Sequence, residues 1–159
     1  MNSIVREQCQ ILELTQALRN QLMEILTDQD LGYSPGGENL TLGALCREMG
    51  EVQQAYISSF QTFEQDFTYR AKDPKLERSV ERLRAWFQTL DRELREALEA
   101  LPEEDIRNRM IDRGEGFIVP PVAQLHIYRE ALLIFYGKAS VYLKALGKTL
   151  PEQWHSWIA

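Results

Sequence analysis

The stretch LHIYREALLIFYGKASVYLKAL, from Leu125 to Leu146, decides the fold class of this chain. Its apolar residues recur at alternating steps of three and four positions, which places them along one side of a helix of about six turns. A helix with this pattern is stable in water only when other helices cover its apolar side. The residues on that side are Leu125, Tyr128, Leu132, Phe135, Ala139, Tyr142 and Leu146.

Upstream segments carry the same spacing and predict further helices. The first helix is predicted over residues 3–27, and the stretch 28–40 after it is rich in Gly, Pro, Asn and Asp, which predicts a surface loop. The hydroxyl of Thr41 is suited to an N-cap, and the apolar residues behind it predict a second helix that ends near Asp66. The loop therefore joins two long helices at one end of the molecule.

A third helix is predicted from Asp73 and Pro74 to Leu101. An aspartate can cap free backbone amides, and proline is well tolerated at the first helical position. Asp91 and Arg95 lie four residues apart and outside the apolar side. We expect them to form an exposed pair that serves solubility.

A connection leads from the third helix to the fourth, the one that decides the fold. The segment Glu103–Val119 is predicted to be this connection and to hold a short helical turn. Pro120 and Pro121 predict the start of the fourth helix, and Gly147 is predicted to end it in the left-handed conformation. A last turn at Pro151–Trp157 is expected to pack its tryptophans on the other helices.

Together these segments predict an all-α fold, a four-helix bundle formed by a single domain over residues 1–159. No segment alternates with the period of a β-strand, so a mixed α/β fold has little support. A chain of 159 residues can bury a sufficient core without metal or disulfide crosslinks.

The composition argues against several classes of protein. The chain has 18 basic and 24 acidic residues and a net charge of −6, with the two signs interspersed, so nucleic acid is not an expected partner. No apolar run is long enough for a membrane span, and no signal-peptide core follows Met1, so we expect a cytoplasmic protein. Cys9 and Cys46 lack CxxC spacing and are expected to be free thiols.

Two segments resemble the DinB/YfiT-like superfamily of bacterial proteins, which is described as metal-dependent. They are GGENLTLGALCREMGEV, residues 36–52, and GKASVYLKALGKTLP, residues 137–151. The resemblance extends over nearly the whole chain and implies an up-down-down-up bundle that is usually dimeric. It also implies a divalent metal held by three histidines near one end, and relatives that include thiol-dependent transferases and isomerases.

The histidine positions of that family carry other residues in this chain. The first, in a motif like LxxHL, falls on Glu48. The other two, in a motif like HxxxHRGQ, fall on Ala131 and Phe135, with Gly137 fixing the register. Alanine and phenylalanine have no donor atom for a metal ion. We therefore predict no metal site of the family type.

A pocket lined by these positions is the candidate functional site. Glu48 is interpreted either as a partly buried carboxylate that binds a ligand or acts as a general base, or as a carboxylate paired with an arginine or a tyrosine hydroxyl. The inward tyrosines could line a cavity, although core aromatics with one hydrogen-bond partner are more common. The candidate pocket comprises Glu48, Tyr56, Tyr128, Ala131, Phe135 and Tyr142.

An alternative metal site would combine Glu48 with His126 and Glu130, which lie four residues apart on one helix. A set of histidine and carboxylate ligands could hold Zn or Ni. In the heptad set by Leu125 and Tyr128, however, His126 and Glu130 turn away from the core. They are therefore interpreted as a surface pair.

The leading functional hypothesis is a metal-free protein that binds a small molecule or a protein partner. The alternative is a thiol-dependent S-transferase or isomerase that uses Glu48, with or without a rebuilt divalent-metal site. A third hypothesis is a purely structural dimer without a ligand pocket. A homodimer is expected through the fourth helix, because apolar residues outside its buried side add exposed surface. These are Ile127, Leu133, Ile134 and Val141.

Overall fold

The computed structural model describes residues 1–158 of the chain. Its helices are α1 (Ser3–Ile25), α2 (Leu42–Thr62), α3 (Val80–Ala100), α4 (Glu103–Asn108), α5 (Pro121–Ala145) and α6 (Glu152–Trp157). Short 3-10 turns lie at Asp30–Gly32 and Leu76–Arg78. Two strands, β1 (Ile111–Asp112) and β2 (Ile118–Val119), pair in antiparallel orientation.

Four long helices, α1, α2, α3 and α5, form a bundle in which α1 and α2 lie diagonally opposite. Each of these two packs against both α3 and α5. The start of α1 meets the end of α3, since the Asn2 amide donates to the Leu98 carbonyl at 2.7 Å. Helices α1 and α3 therefore run in opposite directions.

The directions of the remaining helices follow from two further contacts. Near the middle of both helices, the amide of Gln53 in α2 donates to the Asp91 carboxylate in α3 at 2.9 Å. Their starts lie at the same end of the bundle, because Glu77, just before α3, packs against Gly43 in the first turn of α2. The start of α2 meets the end of α5, where the Tyr142 hydroxyl donates to the Leu40 carbonyl at 2.8 Å. The bundle is thus up-down-down-up, as the family resemblance implied.

The apolar side predicted for the fourth helix forms the centre of the core. Leu146 is only partly buried, and Trp154 packs on the bundle with its indole N–H donating to the Leu18 carbonyl at 3.0 Å. Trp157 is 42% exposed, so the prediction that both tryptophans pack was only half right. The buried residues of this side are Leu125, Tyr128, Leu132, Phe135, Ala139 and Tyr142.

Several helix ends are capped as the sequence predicted. The Thr41 hydroxyl accepts from the Ala44 amide at 3.1 Å, and Gly147 is left-handed with a φ of +69°. Helix α2 ends earlier than predicted, because Phe63 takes a left-handed φ of 62°. The first helix likewise ends at Ile25 rather than at residue 27.

The third bundle helix begins at Val80, so the predicted start at Asp73 was wrong. Asp73 does accept a hydrogen bond from the Lys75 amide at 2.9 Å, but only a 3-10 turn follows. The hydroxyl of Ser79 caps α3 by accepting from the Arg82 amide at 3.3 Å.

Contacts with other parts of the chain explain the delayed start of α3. The Glu77 carbonyl lies so close to α2 that a Cβ atom at Gly43 would be 2.0 Å from it, so this approach requires a glycine. The Val80 amide donates to the Asp28 carboxylate at 2.8 Å. These contacts fix Glu77 against α2 and Val80 against the loop after α1, and they override the local signal for a helix start.

The connection between α3 and α5 contains the short helix α4, as predicted, and the β1–β2 hairpin, which was not predicted. Two-residue strands are too short to show an alternating pattern in the sequence. Within the described residues, no helix combines the length and the apolar character that crossing a membrane requires. The cytoplasmic location stays a prediction.

Candidate functional site

A groove of about 200 Å³ lies between α2 and α5, and we call it the α2–α5 groove. Three- and four-residue steps along each helix bring its lining residues onto facing sides. Glu48, Ala131 and Phe135, the positions assigned to the histidines of the family, all line this groove. The complete lining is Leu45, Glu48, Met49 and Val52 from α2, and Ala131, Ile134, Phe135 and Lys138 from α5.

The α2–α5 groove has an apolar base and two charged side chains at its edge. Met49 and Phe135 are buried, whereas Glu48 and Lys138 are exposed. Neither charged side chain forms an ion pair or a hydrogen bond with any described residue. The expected partial burial of Glu48, and its pairing with an arginine or a tyrosine hydroxyl, were therefore wrong, because its side chain projects into the open groove.

A second cavity, of about 440 Å³, adjoins the groove and shares Leu45, Glu48 and Lys138 with it. Its far wall comes from the end of the loop before α2 and from Val141 and Tyr142 of α5. The Tyr142 hydroxyl is already used by the Leu40 carbonyl, so it fixes this wall rather than facing the cavity as a free donor.

A third cavity, also of about 440 Å³, lies on the other side of Glu48. Its charged residues are largely bonded to one another. Arg47 contacts Glu51 at 3.2 Å and Glu77 at 2.6 Å, and Glu51 also accepts from the Ala71 amide at 2.9 Å. These residues hold the segment before α3 in place, which leaves Glu48 as the uncommitted carboxylate next to all three cavities.

Two residues of the predicted pocket belong to the core instead. Tyr56 and Tyr128 are 2% and 0% exposed, and their rings pack with centroids 5.2 Å apart. The Tyr56 hydroxyl lies 3.4 Å from the Arg113 guanidinium, and burial raises the pKa of Tyr128. The structure therefore brings Glu48, Ala131 and Phe135 together, places Tyr142 at the adjoining cavity, and leaves these two tyrosines outside the groove.

The alternative metal set of Glu48, His126 and Glu130 is not brought together. His126 is exposed, and its Nε2 lies 3.0 Å from the Gln8 Oε1 on α1, away from the α2–α5 groove. Across residues 1–158, no group of three His, Cys, Asp or Glu side chains is arranged to hold a metal ion. The family's three-histidine site does not fit this groove either, since its positions supply one carboxylate where a divalent metal needs at least three donors.

A polar cluster in the interior, centred on Arg19, was not predicted from the sequence. Arg19 is fully buried; its guanidinium donates to the Asp91 carboxylate and, at 2.6 Å, to the Gln53 amide oxygen. The Gln16 and Gln53 amides also donate to Asp91, at 2.8 and 2.9 Å. The predicted surface pair of Asp91 with Arg95 was therefore wrong. We call this cluster of Gln16, Arg19, Gln53 and Asp91 the Arg19 network.

Electrostatics keep the Arg19 network charged in the interior. Burial by itself would lower the pKa of Arg19, but the adjacent Asp91 carboxylate outweighs this and holds that pKa above its ordinary value. The sequence did offer a signal for Arg19, because it lies three and four residues before the apolar Leu22 and Met23, a spacing that places all three on one side of a helix. A charged residue on the buried side of a helix implies a buried partner.

The two cysteines are free, as predicted, and the structure shows that both are buried. Burial raises the pKa of Cys46 to about 12 and also raises the pKa of Cys9. A buried thiol with a raised pKa carries little thiolate and is a poor nucleophile. Neither cysteine lines the α2–α5 groove.

Comparison with known proteins identifies the family. The model of the DinB superfamily matches residues 11–134. The chain belongs to the DinB superfamily. The structure is also similar to the crystal structure of a DinB-like protein, YjoA, from Bacillus subtilis, with a TM-score of 0.67 and 19% sequence identity over 86% of this chain and 90% of that one. At that identity the similarity concerns the fold alone, and no curated protein matches the chain.

Proposed function

We propose that this DinB-superfamily protein binds a small organic molecule in the α2–α5 groove without a metal ion. The observation that carries the proposal is the shared location of Glu48, Ala131 and Phe135 in one apolar groove. In the family resemblance these positions hold a metal. Here they provide an apolar surface and one free carboxylate, which is a common make-up of a site for a small ligand.

The thiol-dependent transferase or isomerase remains the alternative function. Such a reaction needs an activated thiolate, from a metal ion or from a basic neighbour. Glu48 is the one carboxylate that lines the groove. In a metal-free form of this reaction, Glu48 would be the general base. Metal content separates our proposal from the metal-dependent form of this alternative. We expect protein purified without a histidine tag to contain far less than one equivalent of zinc or nickel, and a stoichiometric metal that is lost in Glu48→Ala would overturn our proposal.

Ligand binding in the groove can be tested by filling it. Ala131 is half-buried in the groove, whereas Ala145 is exposed near the end of the same helix. We expect at least one compound of a small-molecule library, screened by thermal shift with EDTA present, to raise the Tm of the wild type and of Ala145→Trp but not of Ala131→Trp. The proposal is wrong if no compound stabilises the wild type, or if Ala131→Trp responds as the wild type does.

We also propose that the protein is a homodimer through α5. Of the four apolar residues predicted for this contact, Ile134 and Val141 are 61% and 57% exposed and lie two turns apart. Ile127 and Leu133 pack partly against the core and offer less surface. Sedimentation velocity at micromolar concentration should give a dimer for the wild type and a monomer for Val141→Glu, because Val141 lies outside the α2–α5 groove whereas Ile134 lines it. A wild-type monomer would contradict this proposal and leave the groove proposal standing.

A further inference from the structure

We infer that the α2–α5 groove recognises a small zwitterion with an apolar body, whose ammonium group lies beside Glu48 and whose carboxylate lies beside Lys138. This inference rests on the proposed function, because it names the class of ligand that the groove takes. The observation behind it is the juxtaposition of two opposite, uncommitted charges on one apolar groove.

Glu48 and Lys138 differ from the neighbouring charged residues because they are not ion-paired. Around the neighbouring cavity, Glu51 and Glu77 are both paired with Arg47. Glu48 and Lys138 line the same groove from opposite helices, yet they do not come within 4.0 Å of each other or of another charged partner among the described residues. A ligand with both charges can therefore bond both side chains without breaking any existing ion pair.

The energetics favour a ligand that is charged at both ends over one that is charged at one end. An exposed charge pair alone contributes little, because water competes for both groups. In the groove, an apolar body against Met49, Val52 and Phe135 would exclude water from one side of each pair. Charge-assisted hydrogen bonds strengthen when they are partly shielded from water. Each of the two contacts then adds to the binding free energy.

The size of the groove limits the ligand. Sites for drug-sized molecules have volumes of roughly 300–1,000 Å³, whereas the α2–α5 groove holds about 200 Å³. This is suited to a single aromatic ring or a branched aliphatic chain. The adjoining cavity of about 440 Å³ shares Glu48 and Lys138, so a longer ligand could extend into it.

The test uses probes that share one body and differ in charge. We propose calorimetric titration of the full-length protein, in EDTA, with L-phenylalanine (both charges), phenethylamine (ammonium only), hydrocinnamate (carboxylate only) and phenylethanol (neutral). We expect phenylalanine to bind about tenfold more tightly than either singly charged probe. Equal affinity for all four probes would overturn the inference.

Variants assign each charge to its partner. Glu48→Gln should remove the advantage of phenylalanine over hydrocinnamate and keep its advantage over phenethylamine. Lys138→Met should remove the advantage of phenylalanine over phenethylamine and keep its advantage over hydrocinnamate. The control variants Glu130→Gln and Lys144→Met change exposed charges of α5 outside the groove, and they should bind all probes as the wild type does. Unchanged probe selectivity in both groove variants would overturn the inference.

The remaining outcomes distinguish this inference from the proposed function. If none of the four probes binds while other library compounds still stabilise the wild type but not Ala131→Trp, the groove binds a different class of ligand and only the inference fails. If no compound of any kind binds, both fail. If Glu48→Gln and Lys138→Met change the sedimentation of the protein but not its probe affinities, the two charges contact a second copy of the chain, and the inference is wrong.

Discussion

The Arg19 network and the α2–α5 groove lie on different sides of α2 and use charged side chains in different ways. In the network, Arg19 and Asp91 are bonded to each other and to two glutamines. In the groove, Glu48 and Lys138 contact no charged partner within residues 1–158. The surroundings of a charged residue therefore decide its role. A buried charge that is paired with an opposite charge inside the fold serves structure, and an open charge beside an apolar groove is available to a ligand.

The largest effect should come from breaking the buried pair. Arg19→Leu leaves Asp91 without its cation and Gln53 without a donor, so we expect the free energy of unfolding to fall by about 3 kcal/mol in urea titrations. Arg92→Leu is the control, because Arg92 is exposed and lies 3.9 Å from Glu96, and it should change stability by less than about 0.5 kcal/mol. Equal effects of the two variants would show that the network does not stabilise the fold.

The second prediction compares close packing on α2 with open space on α5. At Gly43 a Cβ atom would meet the Glu77 backbone carbonyl at 2.0 Å, whereas at Gly137 it would meet nothing within 4 Å. Gly43→Ala should therefore lower the free energy of unfolding by about 2 kcal/mol. Gly137→Ala should raise it by up to about 1 kcal/mol, because alanine is the better helix former. The same sign for both changes in thermal and urea unfolding would contradict the packing described for α2.

The third prediction concerns the pH dependence of stability. Because burial raises the pKa of Cys46 from 9.0 to about 12, the folded state keeps this proton while the unfolded thiol ionises. The free energy of unfolding therefore falls as pH rises above 9. Between about pH 8 and about pH 10 the wild type should lose about 1 kcal/mol more than Cys46→Ala does. Buried Tyr128 and Tyr136 act in the same direction, but they are present in both proteins and cancel in the difference. Parallel pH profiles would contradict the burial of Cys46.

The smallest effect on stability is expected at the groove. Glu48→Gln and Lys138→Met break no ion pair or hydrogen bond in the described structure, so each should change the free energy of unfolding by less than about 0.5 kcal/mol. Unlike Arg19→Leu, these two variants should affect ligand binding and leave folding unchanged. If the free energy of unfolding fell by more than about 1 kcal/mol in urea titrations, these residues would stabilise the fold and the prediction would be wrong.

Most of the fold could be predicted because it depends on repeated local signals. The spacing of apolar residues, the hydroxyl of Thr41 and the glycine at position 147 each act within a few residues. The errors arose where distant contacts decide the conformation. The start of α3 is set by the contact of Glu77 with Gly43 and by Asp28, and no local pattern around Asp73 contains that information.

The site could be predicted only in part. The family register assigned Glu48, Ala131 and Phe135 to neighbouring positions, and the structure places all three on one groove. The direction of a tyrosine side chain depends on the packing of the whole bundle, so the inclusion of Tyr56 and Tyr128 was wrong. Lys138, by contrast, was not among the predicted site residues, and its place on the same groove as Glu48 follows from the antiparallel packing of α2 and α5.

The most direct test of the central claim is a map of ligand contacts in metal-free protein. Amide shifts in ¹H–¹⁵N correlation spectra would be followed while L-phenylalanine is added in the presence of EDTA. We expect the largest shifts to fall on residues 44–53 and 130–139, on the two walls of the α2–α5 groove, and to be lost in Ala131→Trp. Shifts confined to other faces of the bundle, or shifts that appear only after a divalent metal is supplied, would contradict it.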